Sequence, residues 1–138
     1  MITPEQIAKS GTEHGQQAAL FQWAALNIKQ YPQLKWLFAV PNGFYSTPGQ
    51  KAKMKAEGLK DGVPDVLLPV RSRWTMGSGW VEFRYNGLAI EMKVGKNKTS
   101  KEQEEWIDHL ENMNWQCHVC YSWEEARDKI MEYLNVST

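Results

Sequence analysis

Two short apolar runs, each carrying an acid, limit what this chain can fold into. Asp65-Val-Leu-Leu-Pro-Val70 and Leu88-Ala-Ile-Glu-Met-Lys93 are both of strand length. The first is apolar enough to be covered on both faces, and the run leading to Glu91 belongs in an interior. Strands of that kind need helices packed over their sheet, so the flanking segments must supply them.

The flanking segments carry the signals. Thr3-Pro4-Glu5-Gln6 opens a helix: Thr caps, Pro takes the first turn and Gln closes a capping box. Gly11 interrupts, and a longer helix runs from about Thr12 to Gln30. Its apolar stripes are Phe21, Ala25 and Ile28 beside Leu20, Trp23 and Ala24, and Tyr31-Pro32 ends it. Trp36–Val40 reads as a strand closed by Pro41-Asn42-Gly43. Residues 44–64 are basic and mostly irregular, with a short helix near 50–56. Residues 71–79 read as a loop. Trp80–Tyr85 alternates, and Asn86-Gly87 has the chemistry of a hairpin turn into Leu88–Lys93. After a basic loop at 95–99, Ser100-Lys-Glu-Gln103 is a capping box, and Trp106, Ile107, Leu110 and Met113 follow at core spacing. Trp115–Tyr121 is a strand. Ser122-Trp-Glu-Glu125 is a further capping box for a last helix ending near Leu134. The order describes one α/β domain, a sheet with helices on its faces, over residues 1–138.

Composition narrows the partners. Net charge is +0, so nucleic-acid binding has to come from local clusters of lysine. No apolar run approaches the ~18–20 residues that span a bilayer. The first residues lack the basic-then-apolar order of a signal peptide. With two cysteines, the expectation is reduced thiols and a cytoplasmic protein without a membrane partner.

The chemistry lies in three side chains. Strand alternation puts Glu91 and Lys93 on one face, with Leu88, Ile90 and Met92 on the other. Alone, the pair could be an exposed ion pair. In an interior strand, however, a carboxylate is costly unless it pairs or binds a cation. Asp65 follows Gly62-Val-Pro and leads into Val-Leu-Leu, so it either ends a loop or faces the same cavity as Glu91. Two carboxylates can hold Mg²⁺, and a lysine beside them suits attack on a phosphate.

Four motifs in order resemble a known family. They are Pro41-Asn-Gly43, then Gly58-x-x-x-Gly62-Val-Pro-Asp65, then Ile90-Glu-Met-Lys93, then Ser100-x-x-Gln103-x-x-Trp106. Together they look like the virus-type replication-repair nuclease (VRR-NUC) domain of the PD-(D/E)xK nuclease superfamily, with its core over about residues 12–134. The resemblance implies a restriction-endonuclease-like mixed central sheet flanked by helices. It implies an endonuclease that hydrolyses DNA phosphodiesters with Mg²⁺ or Mn²⁺. Asp65, Glu91 and the Met92 carbonyl become metal ligands. Lys93 orients or helps deprotonate the attacking water. Gln103 lies near the site, and Glu13 is a first-helix acid acting directly or through water. Glu5 and Gln17 are alternatives to Glu13, which also reads as a first-turn acid favoured by the helix dipole. Free-standing members resemble phage or bacterial repair enzymes. Several related folds act as homodimers on four-way (Holliday) junctions, so branched DNA and a second copy are the implied partners.

Lys51, Lys53, Lys55 and Lys60 precede Asp65, and Lys96 and Lys98 follow Lys93. They are either a solvated surface or phosphate contacts that position DNA. Phe44 and Tyr45 either stack on an unpaired base or pack on their own loop. Cys117-His-Val-Cys120 lacks a second ligand pair for zinc and lies in a strand, so its cysteines read as buried structural thiols. Residues 71–87 exceed the usual link between the two motif strands. They form an insertion, a flap for DNA or for a second copy. Two rival readings remain: a catalytically silent DNA-binding subunit of the same fold, and a plain interaction or thiol-redox protein.

Overall fold

A computed structural model of the chain describes residues 1–41 and 47–135. Phe44, Tyr45 and most of the Pro41-Asn-Gly43 turn lie outside them. Helix α1 (Pro4–Ile7) has the full Thr3–Gln6 capping box. Helix α2 (Glu13–Asn27) starts from Thr12, whose hydroxyl accepts the Gly15 N–H. A 3-10 turn over Pro32–Trp36 follows, so the expected strand from Trp36 shrinks to β1 (Phe38–Ala39). Pro32 sets the helical φ that starts the turn, and Trp36 stays exposed. Helix α3 (Pro48–Ala56) is capped by Thr47. Then come β2 (Val66–Leu68), β3 (Arg73–Thr75), β4 (Val81–Phe83), β5 (Gly87–Met92), α4 (Lys101–Asn112), β6 (Trp115–Cys120) and α5 (Trp123–Tyr133).

Among the described residues the main sheet has the order β1-β2-β5-β6. β1 and β2, and β2 and β5, run antiparallel, whereas β5 and β6 run parallel. The sheet is mixed because α4 crosses over between β5 and β6, the connection a parallel pair requires. One face of β5, with Leu88, Ile90 and Met92, joins Val66 and Leu68 in a core against α2 and α5. That core contains Ala19, Leu20, Trp23 and Ala24 of α2 and Trp123, Ala126, Ile130 and Tyr133 of α5. Helix α4 lies over β6 on the opposite face, where the Cys117 Sγ approaches the Ile107 carbonyl.

The expected hairpin across Asn86-Gly87 does not form. Strand β4 turns back on β3, with Arg73 opposite Phe83 and Thr75 opposite Val81, as a separate two-stranded ribbon. The segment expected to be a loop at 71–79 therefore contains a strand. Asn86 instead fastens the entry to β5, its backbone N–H and its side-chain amide donating to the Asn114 and Met113 carbonyls. Gly87 is buried, and a Cβ there would sit 2.5 Å from the Trp115 ring. Its glycine serves close packing, not a turn. Two smaller expectations also change. Trp106, Ile107 and Leu110 are only half-buried and Met113 is 52% exposed, because α4 covers one edge of the sheet and none of the described residues covers its outer side. Ser122 caps Glu125, but the Glu125 carboxylate accepts from the Tyr121 N–H, one residue short of a closed box.

Candidate active site

The antiparallel register of β2 and β5 builds the site. Val66 pairs with Ile90, so the next residues outward, Asp65 and Glu91, stand opposite each other on the α4 face. The Asp65 carbonyl accepts the Val40 N–H at 2.8 Å, and its side-chain Oδ2 accepts the Met92 N–H at 2.9 Å. These two bonds fix both the backbone and the carboxylate. Gly62 brings the preceding loop in close. It has φ +85°, and a Cβ there would lie 2.5–2.8 Å from backbone atoms of Glu102 and Gln103. Only glycine allows that approach at that φ.

Glu91 is 2% exposed. Its Oε1 accepts a short hydrogen bond from the Gln103 Nε2, and the Lys93 Nζ lies 3.7 Å from the same oxygen. Among the described residues its Oε2 is buried without a hydrogen-bond partner. Burial and the neighbouring Asp65 charge push the Glu91 carboxyl up to about 8, against the opposing pull of Lys93. Gln103 works at both ends of its amide: Oε1 accepts the Ser100 N–H at 2.8 Å while Nε2 reaches Glu91. The capping box that starts α4 therefore also aims a donor into the site. The Lys93 N–H donates to the Cys120 carbonyl at 2.9 Å, which holds the end of β5 against β6. The side chain of Met92 is buried in the core, so only its backbone faces this cluster.

The structure thus brings together Asp65, Glu91, Lys93 and Gln103. The start of α2 comes to the same end of the sheet, because Gln16 Oε1 accepts the Trp123 N–H at 2.8 Å just beyond β6. Glu13 sits at that start, half-buried. Yet among the described residues no three acids, histidines or cysteines converge tightly enough to hold an ion, so Glu13 does not complete a three-acid set with Asp65 and Glu91. Sequence inspection missed the Gln16 tie, which links residues 107 apart, and no local signal marks it. It also missed the role of Gly62, which only its contact with α4 reveals.

Lys51, Lys53 and Lys55 lie exposed on α3, and Lys60 is exposed beyond it. Lys55 is committed to Asp61 at 2.8 Å, and that hydrogen bond holds the Asp61 carboxyl below its ordinary value. Lys96 and Lys98 are exposed on the turn after Lys93, where the Tyr121 hydroxyl donates to the Asn97 carbonyl at 3.1 Å. On β6, burial pushes the Cys117 thiol to about 11 and the Cys120 thiol to about 12, a poor setting for thiolate chemistry. His118 shares a hydrogen bond with Gln116, and burial lowers its basicity. Among the described residues no helix is long and apolar enough to cross a membrane.

The family profile of the VRR-NUC domain matches residues 7–124. A solved structure described as a VRR_NUC domain protein superposes with a TM-score of 0.69 at 22% identity, over 91% of this chain and 90% of that one. At that identity the likeness speaks for the fold. No curated protein matches this sequence. Sequence profile and fold agree, and the chain belongs to the VRR-NUC domain family.

Proposed function

We propose that this chain is a DNA endonuclease dependent on Mg²⁺ or Mn²⁺, acting as a homodimer on branched DNA such as four-way junctions within a bacterial cell, in replication or repair. Membership of the VRR-NUC family already gives a nuclease-type role in DNA processing. The observation that carries the finer reading is Glu91: a buried carboxylate with an unpartnered oxygen, set opposite a second carboxylate and beside a lysine. A buried acid arranged in this way suits a hard cation better than an apolar core. Asp65 and Glu91 would hold the ion, with the Met92 carbonyl as a further donor and Glu13 reaching it only through water. When bound, a divalent ion supplies a lowered pKa for water and offsets charge on the phosphate oxygens.

The side chains divide the remaining work. Gln103 holds Glu91 by Oε1, while Oε2 stays buried without a hydrogen-bond partner among the described residues. The Met92 N–H keeps the Asp65 carboxylate from rotating. Lys93 is held beside Glu91, with its side chain 12% exposed, and places an ammonium where a phosphate oxygen or an attacking water can meet it. Lys51, Lys53, Lys60, Lys96 and Lys98 contact the DNA backbone and position it without reading sequence; Lys55 contributes less because Asp61 already holds it.

The test is a cleavage assay on labelled junction, flap and linear DNA with Mg²⁺, Mn²⁺ or EDTA. Metal-dependent cutting that favours branched substrates supports the reading. Binding to all three DNAs with no cutting under either metal would replace it with the silent-subunit alternative.

A further inference from the structure

The β3–β4 ribbon leaves the sheet between β2 and β5, at the end opposite Asp65 and Glu91. Its base is firmly tied: the Ser72 Oγ accepts the Tyr85 N–H at 2.8 Å, and the Ser72 N–H donates to the Tyr85 carbonyl. Beyond that base both faces are open. Trp80 is 73% exposed, Phe83 51% and Met76 44%. Arg71 stacks over Phe83 at 4.1 Å and Arg84 over Trp74 at 4.5 Å, so each face carries an aromatic–guanidinium pair. Across 71–85 three arginines stand against one glutamate. A two-stranded ribbon with apolar groups on both sides is marginal on its own and calls for a partner.

The complement lies next to it on the same molecule. The end of α4 touches the ribbon base, where the Asn114 side chain donates to the Arg84 carbonyl at 2.8 Å. Helix α4 carries Glu102, Glu104, Glu105, Asp108 and Glu111 against a single lysine, Lys101. Its outer stripe is Trp106, His109 and Met113, with the Trp106 and His109 rings edge to face at 6.3 Å. Glu105, Trp106 and His109 line a shallow depression of about 300 Å³. The acidic helix thus runs from the catalytic pair, where Gln103 meets Glu91, to the base of the basic aromatic ribbon. Adjacent opposite patches are what a twofold interface needs, since each copy must offer both halves.

We propose that the β3–β4 ribbon is a docking arm for a second copy of this chain, its Trp80 and arginines seating on the acidic Trp106–His109–Met113 stripe of that copy, reciprocally about a twofold axis. The inference rests on the homodimer part of the preceding reading and is independent of nuclease chemistry. DNA fits this pole less well, because Asp108 and Glu111, in the last turns of α4 nearest the ribbon, repel phosphate.

Sedimentation velocity without DNA or metal, at protein concentrations from about 1 to 100 μM, tests it. The wild type sediments as a dimer. Trp80→Ala and the pair Arg71→Glu, Arg73→Glu each raise the dissociation constant about tenfold or more, with melting curves close to wild type because the ribbon lies off the core. Adding Glu102→Lys and Glu105→Lys to the arginine reversals restores the dimer. A monomeric wild type throughout overturns the homodimer reading itself. A dimer insensitive to all these changes overturns the arm alone, and so does a ribbon variant that loses DNA affinity with its mass unchanged, which would make the ribbon a DNA contact.

Discussion

Glu91 shows how one buried side chain ties stability to function. Its carboxyl is raised to about 8 in the folded chain from an ordinary value of 4.5. Between those two values the folded state holds a proton that the unfolded state has released. Stability of the metal-free protein therefore falls as pH rises through that window, at up to about 1.4 kcal/mol per pH unit for one proton, and levels off above it. Denaturant titrations at pH 5, 6.5 and 8 check this, and Glu91→Gln should flatten the slope. A divalent ion must displace the same proton, so Mg²⁺ affinity should rise with pH up to about 8. Calorimetry at pH 7 in buffers of different ionisation enthalpy should register the released proton. Lys93 has a different signature. Lys93→Ala should lower cleavage by about 10²–10⁴-fold while Mg²⁺ still binds, because an ammonium is no metal ligand; a parallel loss of metal affinity would contradict its assignment.

At the scale of elements, the site depends on a loop pressed onto a helix. Gly62 has a positive φ, and its Cα faces backbone atoms of Glu102 and Gln103 that have no freedom to swing away. Gly62→Ala should therefore cost about 1–3 kcal/mol and displace Asp65 relative to Gln103. Urea unfolding would measure the first effect and metal titration the second. The α4 cap belongs to the same unit. Ser100→Ala removes the hydroxyl that accepts the Gln103 N–H, at about 1 kcal/mol. It also loosens the glutamine that holds Glu91, so cleavage should fall further than stability alone predicts. The cost of the cap was readable in Ser100-x-x-Gln103, but its second use was not, since nothing in the local sequence says where the far end of Gln103 points. The mistaken hairpin has a similar cause. Asn-Gly is a strong turn former on its own, yet packing against Trp115 and hydrogen bonds to Met113 and Asn114 outweigh that preference.

The whole molecule separates charge that its total conceals. Net charge is +0, while lysines gather on α3 and the 94–99 turn and acids on α4. DNA affinity should fall steeply with salt, and changing Lys51, Lys53 and Lys55 together to alanine should shallow the log–log salt slope by about two to three units. Fluorescence anisotropy from about 50 to 200 mM salt would read this, and an unchanged slope would turn α3 away from the substrate. The fold class was legible because it follows from local facts: apolar strand runs, helix caps and their order along the chain. That Glu91 would need a partner was legible because a carboxylate in an interior strand is costly alone, and Asp65 and Lys93 stood out because they flank the ends of such strands. By itself the sequence determined which segments become strands and helices in most of the chain, and which polar groups must find a purpose. Tertiary structure alone decided the antiparallel register that sets Asp65 against Glu91, the parallel pairing of β5 with β6, and the pairing of β4 with β3. Those choices depend on contacts between residues far apart in the chain, whose energies no local pattern encodes.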